Sequence, residues 1–147
     1  MIQEDKELLL RDLSARLPYG VKMNHIADDE HSPKTLIVVA KDMITLEGLG
    51  GYECVDVEDY KPYLFPLSSL TEEQFVELNV FAELIYESDT LELVEWNDNY
   101  KTLEFWLEEV PSYCVIKVFD WLNKNHFDYR DLIEKGLAID ATNKGIY

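Results

Sequence analysis

The sequence predicts an α+β domain, with helices at both ends of the chain and a small antiparallel sheet after the first helix. Three observations carry this expectation. Leu8, Leu9, Leu13 and Leu17 recur near helical spacing. Residues 21–57 alternate apolar and polar side chains or run through β-branched ones, with glycines between the runs. Helix-start chemistry then opens two further apolar-periodic segments, at Thr71 and at Ser112. No repeat, low-complexity run or long linker interrupts the 147 residues, so one domain spanning 1–147 is expected.

The elements follow in chain order. Residues 3–17 read as an amphipathic helix, with Asp5 placed to cap it and Pro18-Tyr19-Gly20 to stop it. Val21, Met23 and His25 alternate with Lys22 and Asn24, the pattern of a half-buried strand. Asp28 to Pro33 is a polar loop. Strands are expected over Thr35–Ala40, Met43–Glu47 and Tyr52–Val57, the last two joined by a turn at Gly48-Leu49-Gly50-Gly51. Pro62 and Pro66 predict an irregular segment over 60–67 rather than a helix or central strand. Thr71 with Gln74 fits a capping box, and Leu70 with Phe75 a hydrophobic staple, for a central helix running to about Tyr86 or Glu87. Residues 89–109 lean towards a hairpin-like pair, and Pro111 breaks what precedes it. A C-terminal helix pair is expected: one helix from Ser112 to about Asn125, with Val115, Val118, Phe119 and Leu122 inward, and a short second one capped by Asp128 and closed at Gly136.

Charge is segregated along the chain. Residues 42–109 hold 18 acids against Lys61 and Lys101, while the two ends are nearly neutral, within a net charge of -17. Such a block repels nucleic acid and anionic membrane surfaces, and no four consecutive residues carry more than one base. Hydrophobic residues make up 47%, too many for a disordered acidic tail. The charged start, Met1 to Glu7, is neither a signal peptide nor a membrane span, so a soluble cytoplasmic protein is expected. Cys54 and Cys114 sit in apolar runs and read as buried free thiols.

Chemistry-bearing motifs are sparse. There is no Walker A loop, GxGxxG, HExxH, CxxC or GxSxG. The glycine cluster at 48–51 lies in an acidic block and reads as a turn, not a phosphate cradle. Asp28, Asp29, Glu30 and His31 are consecutive, without the spacing that makes ligands converge on a metal ion. No catalytic, cofactor or metal residue is assigned. His126, at a helix end, reads as a capping or packing residue. The candidate interaction residues are Tyr63, Phe65, Trp121, His126, Tyr129 and Arg130, from two polar–aromatic segments. Burial of the same aromatics in a core is the competing reading, and for the block of Trp121, Phe127 and Tyr129 with its polar neighbours the favoured one.

Three stretches carry a resemblance: Asp12 to Lys22, Lys61 to Glu73, and Asp120 to Ala138. Together they resemble a family of small uncharacterised proteins of gut Bacteroides-type bacteria, with phage or mobile-element copies part of that expectation. The resemblance implies no activity and transfers no functional residue. Phe65 departs from it, standing where Arg is expected. The leading expectation is a non-enzymatic, acidic protein-interaction protein of a bacterial cytoplasm, with another protein as partner and no cofactor. Two alternatives stay open: a nucleic-acid mimic that fills a basic groove, and an enzyme with an unrecognised carboxylate/His site.

Overall fold

The computed structural model describes residues 1–28, 32–82 and 112–147. The loop residues 29–31, the hairpin reading of 89–109 and the break at Pro111 lie outside the described residues.

The fold is α+β. Helix α1 spans Gln3–Arg16 and buries Leu9 and Leu13. Ile2 precedes it in extended backbone with no side-chain cap, so Asp5 is not the cap. It lies in the first turn with Glu4, where carboxylates complement the helix dipole. Pro18 sits in the short 3-10 turn that follows, and Gly20 leaves it at φ +66°.

Four strands come next: β1 (Lys22–His25), β2 (Lys34–Val39), β3 (Met43–Gly48) and β4 (Gly51–Asp56). Gly48 pairs with Gly51 across the predicted turn, and Gly51 holds φ +103°, a region closed to most side chains. β2 carries a bulge between Leu36 and Val38. Burial runs along one face of this meander, through Leu36, Ile44 and Leu46. Burying a side chain such as Leu46 fully contributes about 1.5–3 kcal/mol.

The prolines do not exclude residues 60–66 from the sheet. They form β5 (Tyr60–Pro66), an interior strand in the order β4-β3-β2-β1-β5-β6. β5 tolerates them because it changes partners along its length. Tyr60 to Pro62 pair antiparallel with β1, and β1 ends its pairing there. Tyr63 and Leu64 then run parallel to β7 (Ile139–Asp140), and Phe65 and Pro66 parallel to β6 (Phe127–Asp128). The proline without an N–H thus stands at the change of partner, and Pro66 ends the strand. The sheet is therefore mixed, and larger than the antiparallel meander expected.

Helix α2 spans Glu72–Phe81, closed at its start by the complete Thr71–Gln74 capping box. It ends before the Tyr86–Glu87 boundary expected from sequence. Helix α3 spans Ser112–Lys124 and packs Cys114, Val118, Trp121 and Leu122 against Phe75, Leu78 and Ala82 of the α2 region. The second helix of the C-terminal pair does not form. After β6 the chain makes turns through Leu137. Asp128 does accept backbone N–H groups, but those of Arg130, Leu132 and Ile133 in a turn. The same carboxylate chemistry serves a helix start or a turn, and only two apolar residues, Leu132 and Ile133, argued for the helix. Gly136 does take the left-handed conformation, at φ +70°.

Among the described residues, two hydrophobic cores result. One joins α1 to the meander, with Leu132 and Leu137 closing it. The other joins α2 to α3, with Phe127 and Tyr129 at its inner edge. Among the described residues, no helix is long and apolar enough to cross a membrane.

Candidate functional site

Between the two cores lies a buried polar centre. Asp12 and Arg16 face inward one helical turn apart on α1, and both side chains have 0% exposure. Arg16 donates from Nε to Asp12 Oδ2 at 2.6 Å and from Nη2 to Oδ1 at 3.1 Å. Nη2 also donates to the Phe127 carbonyl at 2.8 Å, which ties α1 to β6. Arg130 approaches the same carboxylate, its Nε 3.9 Å from Asp12 Oδ1. Both guanidinium groups also lie against the Tyr129 ring, at 5.6 and 5.0 Å from its centroid. Tyr129 is fixed in turn by donating its hydroxyl to Asn123 Oδ1 at 3.0 Å.

His126 borders this centre. It follows α3 at φ +61°, a left-handed position usually given to glycine, at a cost of about 1–2 kcal/mol. Its N–H donates to the Asn123 carbonyl and its carbonyl accepts from Phe65 N–H, so the corner is locked to β5. The imidazole stacks on Tyr147. Burial, with added repulsion from Arg16 and Lys22, holds its pKa down at about 4. The ring is therefore neutral near pH 7. The Tyr147 hydroxyl accepts from Lys22 N–H at 3.1 Å and donates to the Tyr63 carbonyl at 2.8 Å. Burial pushes its pKa well above the usual tyrosine value.

The six candidate interaction residues are brought together, but mostly inside. Tyr63, Trp121, His126 and Tyr129 are buried. Trp121 stacks on Phe127, and Phe65 packs, partly buried, against Phe127 and Tyr147. Arg130 keeps 22% of its side chain exposed. Asp12, Arg16 and Tyr147 were missed by the sequence reading. A signal for the first two existed: they fall three and seven residues after Leu9, on the buried stripe of α1.

The surface is different in kind. On one side Lys6 Nζ lies 2.9 Å from Glu58, 3.6 Å from Asp42 and 3.9 Å from Asp56. Its pKa is raised, first by the hydrogen bond to Glu58. Lys34 pairs with Glu53, which also accepts from the Tyr60 hydroxyl. Cys114 is buried, but Cys54 is exposed on β4, contrary to the expectation from its apolar neighbours. The strand alternation places Cys54 and Tyr52 on the face away from α1. Neither Cys54 nor Cys114 forms a disulfide. Among the described residues, no group of three or more His, Cys, Asp or Glu is arranged to hold a metal ion. No protein-family model, curated protein or solved structure matches the chain.

Proposed function

We propose that this is a non-enzymatic acidic protein that binds a basic, partly apolar segment of another protein in a bacterial cytoplasm. The observation carrying the reading is on α2. Phe75 and Leu78 fill the core, while Val76 and Val80 stand one turn apart in solvent. Glu72, Glu73 and Glu77 are exposed beside them. Isolated exposed apolar residues need no explanation, but an apolar pair framed by three carboxylates complements an aliphatic side chain next to Lys or Arg. On α3, Tyr113 and Ile116 are likewise exposed. The two unbridged cysteines support a reducing compartment.

The test is affinity capture from a native host, followed by reconstitution with the purified captured protein. The reading predicts a stoichiometric complex, weakened at high salt and lost in the Val76→Lys, Val80→Lys double variant. A complex that forms equally well with the double variant would overturn it.

A further inference from the structure

We propose that Arg16 and Arg130 form an internal binding site for a small oxyanion of the phosphate class. Among the described residues, two guanidinium groups at this centre share one carboxylate, Asp12. Arg16 is paired with Asp12, so the excess falls on Arg130, which is partly exposed, in a chain whose net charge is -17. The Asp128 carboxylate lies close in sequence, but its oxygens accept the Arg130, Leu132 and Ile133 N–H groups and leave the Nη1 donors of Arg16 and Arg130 unmet. Lys22 adds to the positive field felt by neighbouring His126.

The donors are unbalanced as well. Arg16 spends Nε and Nη2 on Asp12 and Phe127, but its Nη1 is buried with no hydrogen-bond partner. Arg130 Nη1 is buried and unpartnered too. Each unmet buried donor is costly. One oxyanion accepting from both forks removes both costs, since guanidinium matches phosphate oxygens in shape and charge. Entry is from the Arg130 side. Arg16 and Asp12 are fully enclosed, whereas Arg130 is partly exposed and held by stacking on Tyr129 and a long ion pair.

Thermal unfolding of the whole chain in inorganic phosphate and in chloride, at matched ionic strength, tests the site. Phosphate at tenfold its Kd should raise the midpoint of the wild type by about 3–6 °C beyond chloride, saturably. Arg130→Met keeps a stem against Tyr129 and should abolish the excess. Phosphate also stabilises proteins through exclusion from their surface, so an equal rise in the variant, or no excess in the wild type, overturns the proposal. Calorimetric titration of the wild type with phosphate decides independently of the variant's folding. One saturable site per chain supports the proposal, and heat no greater than that of chloride defeats it.

Discussion

His126 and Tyr147 lie ring on ring, their centroids 3.9 Å apart and their planes 13° from parallel. The stack buries an imidazole that faces the charges of Arg16 and Lys22. A pKa of about 4 in the fold lies below the 6.5 of a free histidine. The unfolded chain therefore takes the proton first. Stability contributed by the neutral ring is fully present above about pH 6.5 and is lost as pH falls through that value towards 4, a change of about 3 kcal/mol. His126→Asn tolerates the left-handed backbone and does not titrate. Urea unfolding at several pH values should show a steeper acid loss for wild type than for this variant. Parallel curves would contradict the assignment.

Tyr147 also mends the sheet. In the β1–β5 register, Met23 faces Pro62, so Lys22 faces Tyr63 next. The phenol oxygen bridges the Lys22 N–H and the Tyr63 carbonyl. Tyr147→Phe keeps the ring on His126 and removes both bonds. It should cost about 1–3 kcal/mol in denaturant unfolding. A neutral result would mean that solvent serves both groups equally well.

The Asp12–Arg16 pair should show the asymmetry of buried ion pairs. Asp12→Ala leaves two guanidinium groups without their shared carboxylate and should cost about 3–5 kcal/mol. Asp12→Leu combined with Arg16→Met removes the pair together and should recover most of that loss. If the double variant is as unstable as Asp12→Ala, the pair is worth more than its desolvation.

Features set by a few neighbouring residues were legible in the sequence. The Thr71–Gln74 cap is decided within four residues, and Gly136 by its own lack of a side chain. The fate of β5 was not, because it depends on where β1, β6 and β7 arrive, and those arrive from both ends of the chain. The polar centre was hidden for a related reason. Asp12 and Arg16 look like surface charges until the strands and the 127–130 segment close over α1. Tyr63, Trp121 and Tyr129 are buried, and composition alone does not separate a core layer from a surface patch.

Cysteine reactivity should divide by position. Cys54 is exposed on β4, and Cys114 is buried under α2. A thiol reagent should label Cys54 in the native protein and both residues after denaturation, giving two thiols per chain without reductant. Rapid labelling of both in the native state would place Cys114 outside the core. Finding none after denaturation would mean a disulfide and contradict the unbridged arrangement.

Trp121 should behave as a core residue. It is 4% exposed, stacks on Phe127 with centroids 5.7 Å apart, and joins α3 to the strand segment that carries the His126 corner. Truncation removes a large ring from between the Cys114–Leu122 face and Phe127. Because the helix and β6 are both anchored elsewhere, the gap cannot simply collapse. Trp121→Ala should cost about 3–5 kcal/mol, a drop in melting temperature of about 6–20 °C for a chain of this size. Trp121→Phe should restore more than half of it. The α2 pair Val76 and Val80 points away from this core, so the Val76→Lys, Val80→Lys variant should melt within a few degrees of wild type. An unchanged melting temperature for Trp121→Ala, with loss of partner capture instead, would turn the reading over and make Trp121 part of a recognition surface.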